Sequence, residues 1–534
     1  MPQISISDFS TSSSLSCRSP EPSSRARVVS RTTMRHTVVL ALLCASCGAA
    51  EDDTERAFLA GLSAYEEGDL IRAKAAFEDC IALDARSAAP QGRTDCMTNL
   101  ASVIIDLGEE DSDRSAELLY RSVLDAEPNH ADAAYNLALQ LQDRKTSEAL
   151  KEAADLYHQV AKSDPRRWDA WANLAAALKE LNVEPLATCT AFQRAIFHLE
   201  KSHEESSGDE PPPQELVYLA SLYYGLGLQL SSLSATQCQQ YAADPESLMV
   251  GVQPDGSSDG SNSVCLENAQ NALRITLDLQ PDHVQAEHML ASLISSTHGG
   301  SAPVAKASSA FVRSLFDDFS SSFDEKLADL QYAVPTLVGA AARAFVHNQR
   351  QGMPFASALD AGCGTGLAGV HLRALVDGPM AGVDLSQKML DRAAALTVDG
   401  EGGQPLYDKL LAKDLVYLQL PDVLPRQHAS IAAVELVTAA DVFVYFGALE
   451  ELMGTFARLG AQALIFSCER ATTDEAGVSG WVLRSSGRFA HTREYVEVAA
   501  ASSDFHLVSY SEIVPRYEYG QPIAGHLFVF QRRR

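Results

Sequence analysis

The run Leu359-Asp360-Ala361-Gly362-Cys363-Gly364-Thr365-Gly366-Leu367 gathers the residue types that a nucleoside-bearing ligand needs. It follows an apolar strand expected over 356–359 and precedes a helix expected through 375. Glycines there let the backbone approach a ligand at the carboxyl edge of a sheet, ahead of a helix amino terminus. The next expected strand, Ala381-Gly382-Val383, ends at Asp384. A carboxylate in that place can accept hydrogen bonds from both ribose hydroxyls of an adenosine ligand. Gly364-x-Gly366-x-x-Gly369 also fits the G-x-G-x-x-G spacing, so a dinucleotide site is the competing reading of these glycines taken alone.

Read together, the string 359–367 and Gly382-Val383-Asp384-Leu385-Ser386 resemble the first two motifs of class I S-adenosylmethionine (SAM)-dependent methyltransferases. The resemblance implies a Rossmann-like α/β fold with a seven-stranded sheet, and SAM as cofactor. It places Asp360 near the ligand's amino-acid end, an acid that nicotinamide sites usually lack. Gly362, Gly364, Thr365 and Gly366 then form the turn beside the cofactor, and Asp384 with Leu385 takes the ribose. Ser386-Gln387-Lys388-Met389-Leu390 opens the second helix, whose first residues line the adenine pocket in this family; Met389 reads equally well as a core packer. Lys413-Asp414-Leu415 matches the end of the third strand, where the acid meets the adenine amino group.

Residues 432–440 followed by Asp441-Val442-Phe443-Val444-Tyr445-Phe446 resemble the family's fourth strand and active-site loop, with Glu435 where many relatives carry Asp. A fifth strand over 463–467 and a final pair over 505–509 and 526–531 complete the expected sheet. Three further segments look like bacterial methyltransferases that also carry tetratricopeptide (TPR) repeats. They are Phe316-Asp317-Asp318-Phe319 through Tyr332, Gly487-Arg488-Phe489-Ala490-His491, and Arg516-Tyr517-Glu518-Tyr519-Gly520.

Methyl transfer from a sulfonium is an in-line displacement in which the cofactor supplies the electrophile. The protein aligns the acceptor and excludes water, and an oxygen or nitrogen acceptor can also need a base. Asp441, Tyr445 and His491 are the catalytic candidates. Asp441 could equally bond backbone, Tyr445 could shape the pocket and His491 could be a packing histidine. Phe316, Phe319 and Phe323 fall at i, i+3 and i+7, the spacing of an amphipathic lid packed on the sheet; its functional version closes over the cofactor with Tyr332 beside it. Arg488 and Arg516 either hold an acidic acceptor or form salt bridges.

A formal net charge of −28 over 534 residues argues against nucleic acid as a partner. Neither an Asn-Pro-Pro-Tyr nor a Pro-Cys nucleophile motif occurs, which leaves a small-molecule or protein acceptor. No metal-ligand set is expected. The one C-x-x-C, Cys44 and Cys47, lies in an apolar targeting-like stretch.

These residues occupy the last part of a chain long enough for two or three domains. Residues 1–50 read as a leader: Ser/Arg-rich and acid-poor to residue 33, then Met34-Arg35-His36 and an apolar run over 37–50. That run is shorter than the about 20 residues of a membrane span. Three readings stand: a secretory signal starting at Met34, a two-part organellar leader, or a disordered tail.

Residues 54–297 repeat with a period of about 34 to 37 residues, as in TPR arrays. Small residues where helices cross and aromatic groove-fillers recur at Gly61, Ala73 and Phe77, at Ala116, Tyr120 and Val123, at Ala153, Tyr157 and Val160, and at Trp171, Phe192 and Ala195. A fifth pair, 215–233 and 266–279, is split by an insertion near 234–264 expected to be disordered, above all in its Gly/Ser/Asp-rich part, 251–263. The stretch 204–213 reads as a second solvated connector, and a helix over 284–295 as the cap of the stack. Cys238 and Cys265 flank the insertion and are either a disulfide or two free thiols.

The expected architecture is therefore an all-α TPR solenoid, a linker at 298–310 and a methyltransferase domain at 311–534. The repeats would present a surface to a partner protein or the substrate, or serve as a spacer. The competing function is a TPR adaptor whose SAM-binding domain is catalytically inactive. Intact Asp360, Gly362, Gly364, Gly366 and Asp384 argue against decay of the cofactor site.

Overall fold

A Cβ added at Gly61 would stand 2.6 Å from Phe77 Cε1, so the first helix pair closes only because one partner has no side chain. The computed structural model describes residues 53–84, 93–205, 211–243, 263–297, 304–320, 323–398, 403–424, 432–518 and 520–533. The leader at 1–50, the loop at 251–262 and much of the 298–310 linker and 204–213 connector lie outside the described residues. The described chain up to Ala269 forms one compact unit and the chain from Gln270 onward another.

In the first unit each helix packs on its sequence neighbour, beginning with Asp53–Glu66, Leu70–Asp84, Arg93–Leu107 and Ser112–Ala126. The pattern continues through Ala131–Asp143, Ser147–Ser163, Trp168–Leu181, Pro185–Glu205 and Pro213–Ser231. Gly68, at φ +81°, turns the chain between the first two helices, and Asn182 caps another in the left-handed region. The groove-filling rings Phe77, Tyr120, Tyr157 and Phe192 are buried. Within the insertion near 234–264, residues Ala235–Ala243 form a helix that periodicity did not anticipate. Its Cys238 is bonded to Cys265, and a second disulfide joins Cys80 to Cys96.

In the second unit the sheet is built from β1 (Ala358–Ala361), β2 (Met380–Asp384), β3 (Lys409–Ala412), β4 (Leu436–Ala439), β5 (Ala463–Arg470), β6 (Trp481–Leu483), β7 (Phe489–His491), β8 (Phe505–Ile513) and β11 (Gly525–Arg532). The main path runs β3-β2-β1-β4-β5-β11-β8, with β11 antiparallel between β5 and β8. The sheet has nine strands, not the expected seven. β5 extends to Arg470, three residues past the expected end, and β7 pairs with that extension while β6 pairs with β7. A separate two-stranded ribbon joins β9 (Tyr517–Glu518) to β10 (Gln521–Pro522).

The chain leaves β1 toward β2 and β3 on one side and reaches β4 and β5 on the other. A doubly wound sheet opens its ligand crevice at such a reversal, outside the carboxyl ends of the strands. Glu435 stands at the opposite edge, where it accepts the Ala356 N–H at 2.9 Å and pairs with Arg350 at 2.8 Å.

The helix Val284–Thr297, expected to cap the repeats, belongs to this second unit. His288 Nε2 lies 2.8 Å from the Gly487 carbonyl, and its ring stacks on Phe311. Linker residues are likewise tied to the loop after β4: Ala307 N–H donates to Tyr445 O and Gly447 N–H to Ala305 O. Among the described residues no helix is long and apolar enough to cross a membrane.

Candidate active site at the carboxyl edge

β1 ends in a turn that only glycine makes easily. Gly362 and Gly364 have φ of 68° and 53°, and a Cβ at Gly362 would stand 2.4 Å from Val442 Cγ2. At Gly364 a Cβ would meet only Phe323 Cε1, at an ordinary contact distance of 3.8 Å, so no side chain crowds that backbone. The Gly364 N–H donates to Asp384 Oδ2 and the Ser386 N–H to Asp384 Oδ1, each at 2.9 Å. Burial pushes the Asp384 carboxyl up, and these backbone donors oppose it.

A cavity lies along this edge. Its wall includes Gly362, Gly364, Asp384, Leu385, Asp414 and Leu415 from the expected cofactor set, and Asp441 and Tyr445 from the catalytic set. The remaining candidates stand behind the wall. Asp360 is 1% exposed; Tyr407 Oη donates to its Oδ2 at 2.7 Å and Thr438 Oγ1 to its Oδ1 at 3.2 Å. Burial pushes the Asp360 carboxyl up to about 6. Thr365 donates to Asp324 at 2.7 Å, while Gly366 packs against Leu396 and Tyr407. Met389 is fully buried, as a core packer would be.

His491 is also fully buried, on β7, with Nε2 3.1 Å from the Gly447 carbonyl. Burial pushes its imidazole down to about 4. It is neutral at ordinary pH and does not line the cavity. Asp414 is engaged as well: Lys306 Nζ and Ser309 Oγ donate to its Oδ2 at 2.8 and 2.6 Å.

The roof comes from helices Ser309–Phe319 and Phe323–Asp329. Phe316 meets Phe323 and Tyr445 edge-on, at 5.9 and 5.7 Å between ring centroids. Ser386 Oγ donates to Asp317, and Asp324 pairs with Arg392 at 2.6 Å. These polar ties hold the roof to the helix Gln387–Ala394.

One end of the cavity carries a charge cluster that sequence reading found only in part. Arg516, 1% exposed, donates from Nε to Glu518 at 2.8 Å and from a terminal nitrogen to Asp441 Oδ2 at 3.2 Å, and also pairs with Glu469. Arg488 donates to Glu518 at 2.7 Å and Arg484 pairs with Glu469 at 3.2 Å. Glu469, at the end of β5, had no motif to mark it. An acid closing the apolar run of β5 was the one signal the sequence offered. Asp441 itself sits at φ 60°, with its N–H donating to Ser467 Oγ at 2.9 Å.

No protein-family model matches this chain, and no curated protein is significantly similar to it. Solved structures overlay part of it. Magnesium protoporphyrin IX methyltransferase from Synechocystis PCC 6803, with bound SAH, is 18% identical and covers 42% of this chain and 100% of its own, at a TM-score of 0.32. A SAM-dependent methyltransferase from Clostridium acetobutylicum ATCC 824 is 15% identical over 41% of this chain and 100% of its own, at 0.29. One from Mesorhizobium loti is 19% identical over 36% of this chain and 96% of its own, at 0.26.

Proposed function

We propose that this chain is a class I SAM-dependent methyltransferase acting on a small-molecule or protein acceptor, and that TPR-like repeats recruit a partner or the substrate. One observation carries the reading. The left-handed glycine turn after β1 and the Asp384 carboxylate after β2 are hydrogen-bonded together on one wall of a cavity at the sheet's reversal point.

The residues present fit SAM. Gly364 offers an unobstructed backbone, Asp384 and Leu385 stand where a ribose would lie, and Asp414 and Leu415 mark the far wall. An aromatic roof excludes water above them. Bound there, SAM supplies the electrophilic methyl group; the chain's own residues hold and orient it. The repeat reading is supported by the sequence period and by small-against-aromatic packing such as Gly61 on Phe77.

The test is calorimetric titration of SAM and S-adenosylhomocysteine (SAH) into the full-length protein, beside Asp384→Ala. Micromolar binding, lost in the variant, supports the assignment. A folded wild-type chain that binds neither compound sinks the enzyme and leaves the inactive-domain adaptor as the better account.

A further inference from the structure

The carboxyl edge of the sheet divides the cavity into two ends. Asp414 follows β3, Asp384 ends β2 and Gly362 follows β1; that stretch was assigned above to the nucleoside. Beyond it come Asp441 after β4, Glu469 near the end of β5, and Arg516 after β8. Strands lie about 4.8 Å apart, so Asp414 after β3 and Asp441 after β4 stand about 14 Å apart along the edge, more than an adenosine spans. The far end therefore lies past the nucleoside, where the transferable methyl and its acceptor would meet.

Two polar atoms there lack a hydrogen-bond partner: Asp441 Oδ1 and Arg488 Nε. Both residues line the cavity, and the Arg488 side chain is 5% exposed. Their other polar ends are engaged, Asp441 Oδ2 by Arg516 and Arg488 by Glu518. A buried orphan costs about 1–3 kcal/mol, and here an unmet acceptor and an unmet donor belong to two residues that line one cavity.

Charge narrows the ligand. Asp441, Glu469 and Glu518 face Arg516, Arg488 and Arg484, and Arg484 is shared with Glu475. Each of these three arginines is already ion-paired, so a carboxylate or phosphate would meet Asp441 Oδ1 as like charge against like. Tyr332, Tyr445 and Phe316 supply flat apolar wall at the same end.

We propose that this end is the methyl acceptor's subsite and that it takes an uncharged aromatic compound bearing a hydroxyl group. The hydroxyl donates to Asp441 Oδ1 and accepts from the Arg488 Nε–H. This rests on the methyltransferase reading and adds to it the class of acceptor.

The test is calorimetry of 2-naphthol and 2-naphthoate against the full-length protein saturated with SAH, for wild type, Asp441→Asn and Arg488→Lys, with a melting curve for each. Asparagine tolerates the left-handed backbone at 441. With its oxygen turned to Arg516, it presents an amide donor where Asp441 presents an acceptor. The expected result is naphthol binding at least tenfold tighter than naphthoate, and falling at least tenfold in both variants while SAH affinity stays within twofold. Equal or tighter naphthoate binding overturns the proposal, as does no naphthol binding to an SAH-loaded wild type. Loss of SAH affinity in Asp441→Asn also overturns it, because the pair then serves the cofactor. A wild type that binds no SAH removes the methyltransferase reading, and the acceptor assignment falls with it.

Discussion

The backbone N–H of Gly364 donates to the carboxylate of Asp384 across 2.9 Å, binding the turn after β1 to the end of β2. The other carboxylate oxygen takes the Ser386 N–H, so one side chain ties the turn after β1 to the start of the helix after β2. Asp384→Asn keeps the shape but turns one acceptor into a donor facing an N–H. Hydrogen bonds to a charged group contribute about 1.5–3 kcal/mol, so SAH affinity is expected to fall about ten- to hundredfold. Calorimetry of the variant checks this; unchanged affinity would place the ribose elsewhere.

Gly369 tests the layer beneath. A Cβ there would stand 2.2 Å from Tyr407 Oη, the hydroxyl that donates to buried Asp360. Gly369→Ala must displace that hydroxyl, and overpacking plus a lost donor predicts a cost of about 2–4 kcal/mol. With Tyr407→Phe already in place, the same alanine is expected to cost less, because part of the clash is gone. Urea unfolding of the two single variants and the double variant measures the coupling; strict additivity would refute this account of Gly369.

The cavity wall was largely legible in the sequence because its residues follow strands whose ends glycine and acid mark locally. Gly362, Gly364, Asp384 and Asp414 all lie within three positions of a strand terminus. What local pattern could not reveal was which acids face the ligand. Asp360 is engaged by Tyr407, 47 positions away, and Thr438, 78 away, and no spacing rule reaches so far. Glu469 became part of the site only through β5's extension past β4. The helix Val284–Thr297 kept its helical pattern, but its allegiance depends on His288 meeting Gly487, a long-range contact.

His491 gives a pH prediction whose sign follows from burial. Its folded-state pKa is about 4 against about 6.5 when exposed, so the unfolded chain binds the proton first. Stability from this group is present above about pH 6.5 and lost as pH falls toward 4, by up to roughly 3 kcal/mol. His526 is pushed down to about 4 by burial in the same way. Replacing His491 with Leu is expected to flatten part of the decline between pH 6.5 and 4 while leaving SAH affinity at pH 8 unchanged. Urea midpoints across that range check the first part. A variant declining as steeply as wild type would mean the imidazole is not buried neutral.

The two disulfides among the described residues predict a redox response in the helical unit. Cys80–Cys96 and Cys238–Cys265 span 16 and 27 positions, and closing loops of that size restricts the unfolded chain by about 3 kcal/mol each. Both lie in the helical unit, whereas Cys363 and Cys468 of the α/β unit are buried free thiols. Dithiothreitol is therefore expected to lower the melting temperature of the helical transition by several degrees and to leave SAH-stabilised unfolding in place. Cys238→Ser with Cys265→Ser should reproduce part of the drop and weaken the response to reductant. Thiol titration of the denatured, unreduced protein supplies the independent check: Cys80, Cys96, Cys238 and Cys265 must all resist labelling. Reactivity at those four positions would show that the helical unit is held by packing alone.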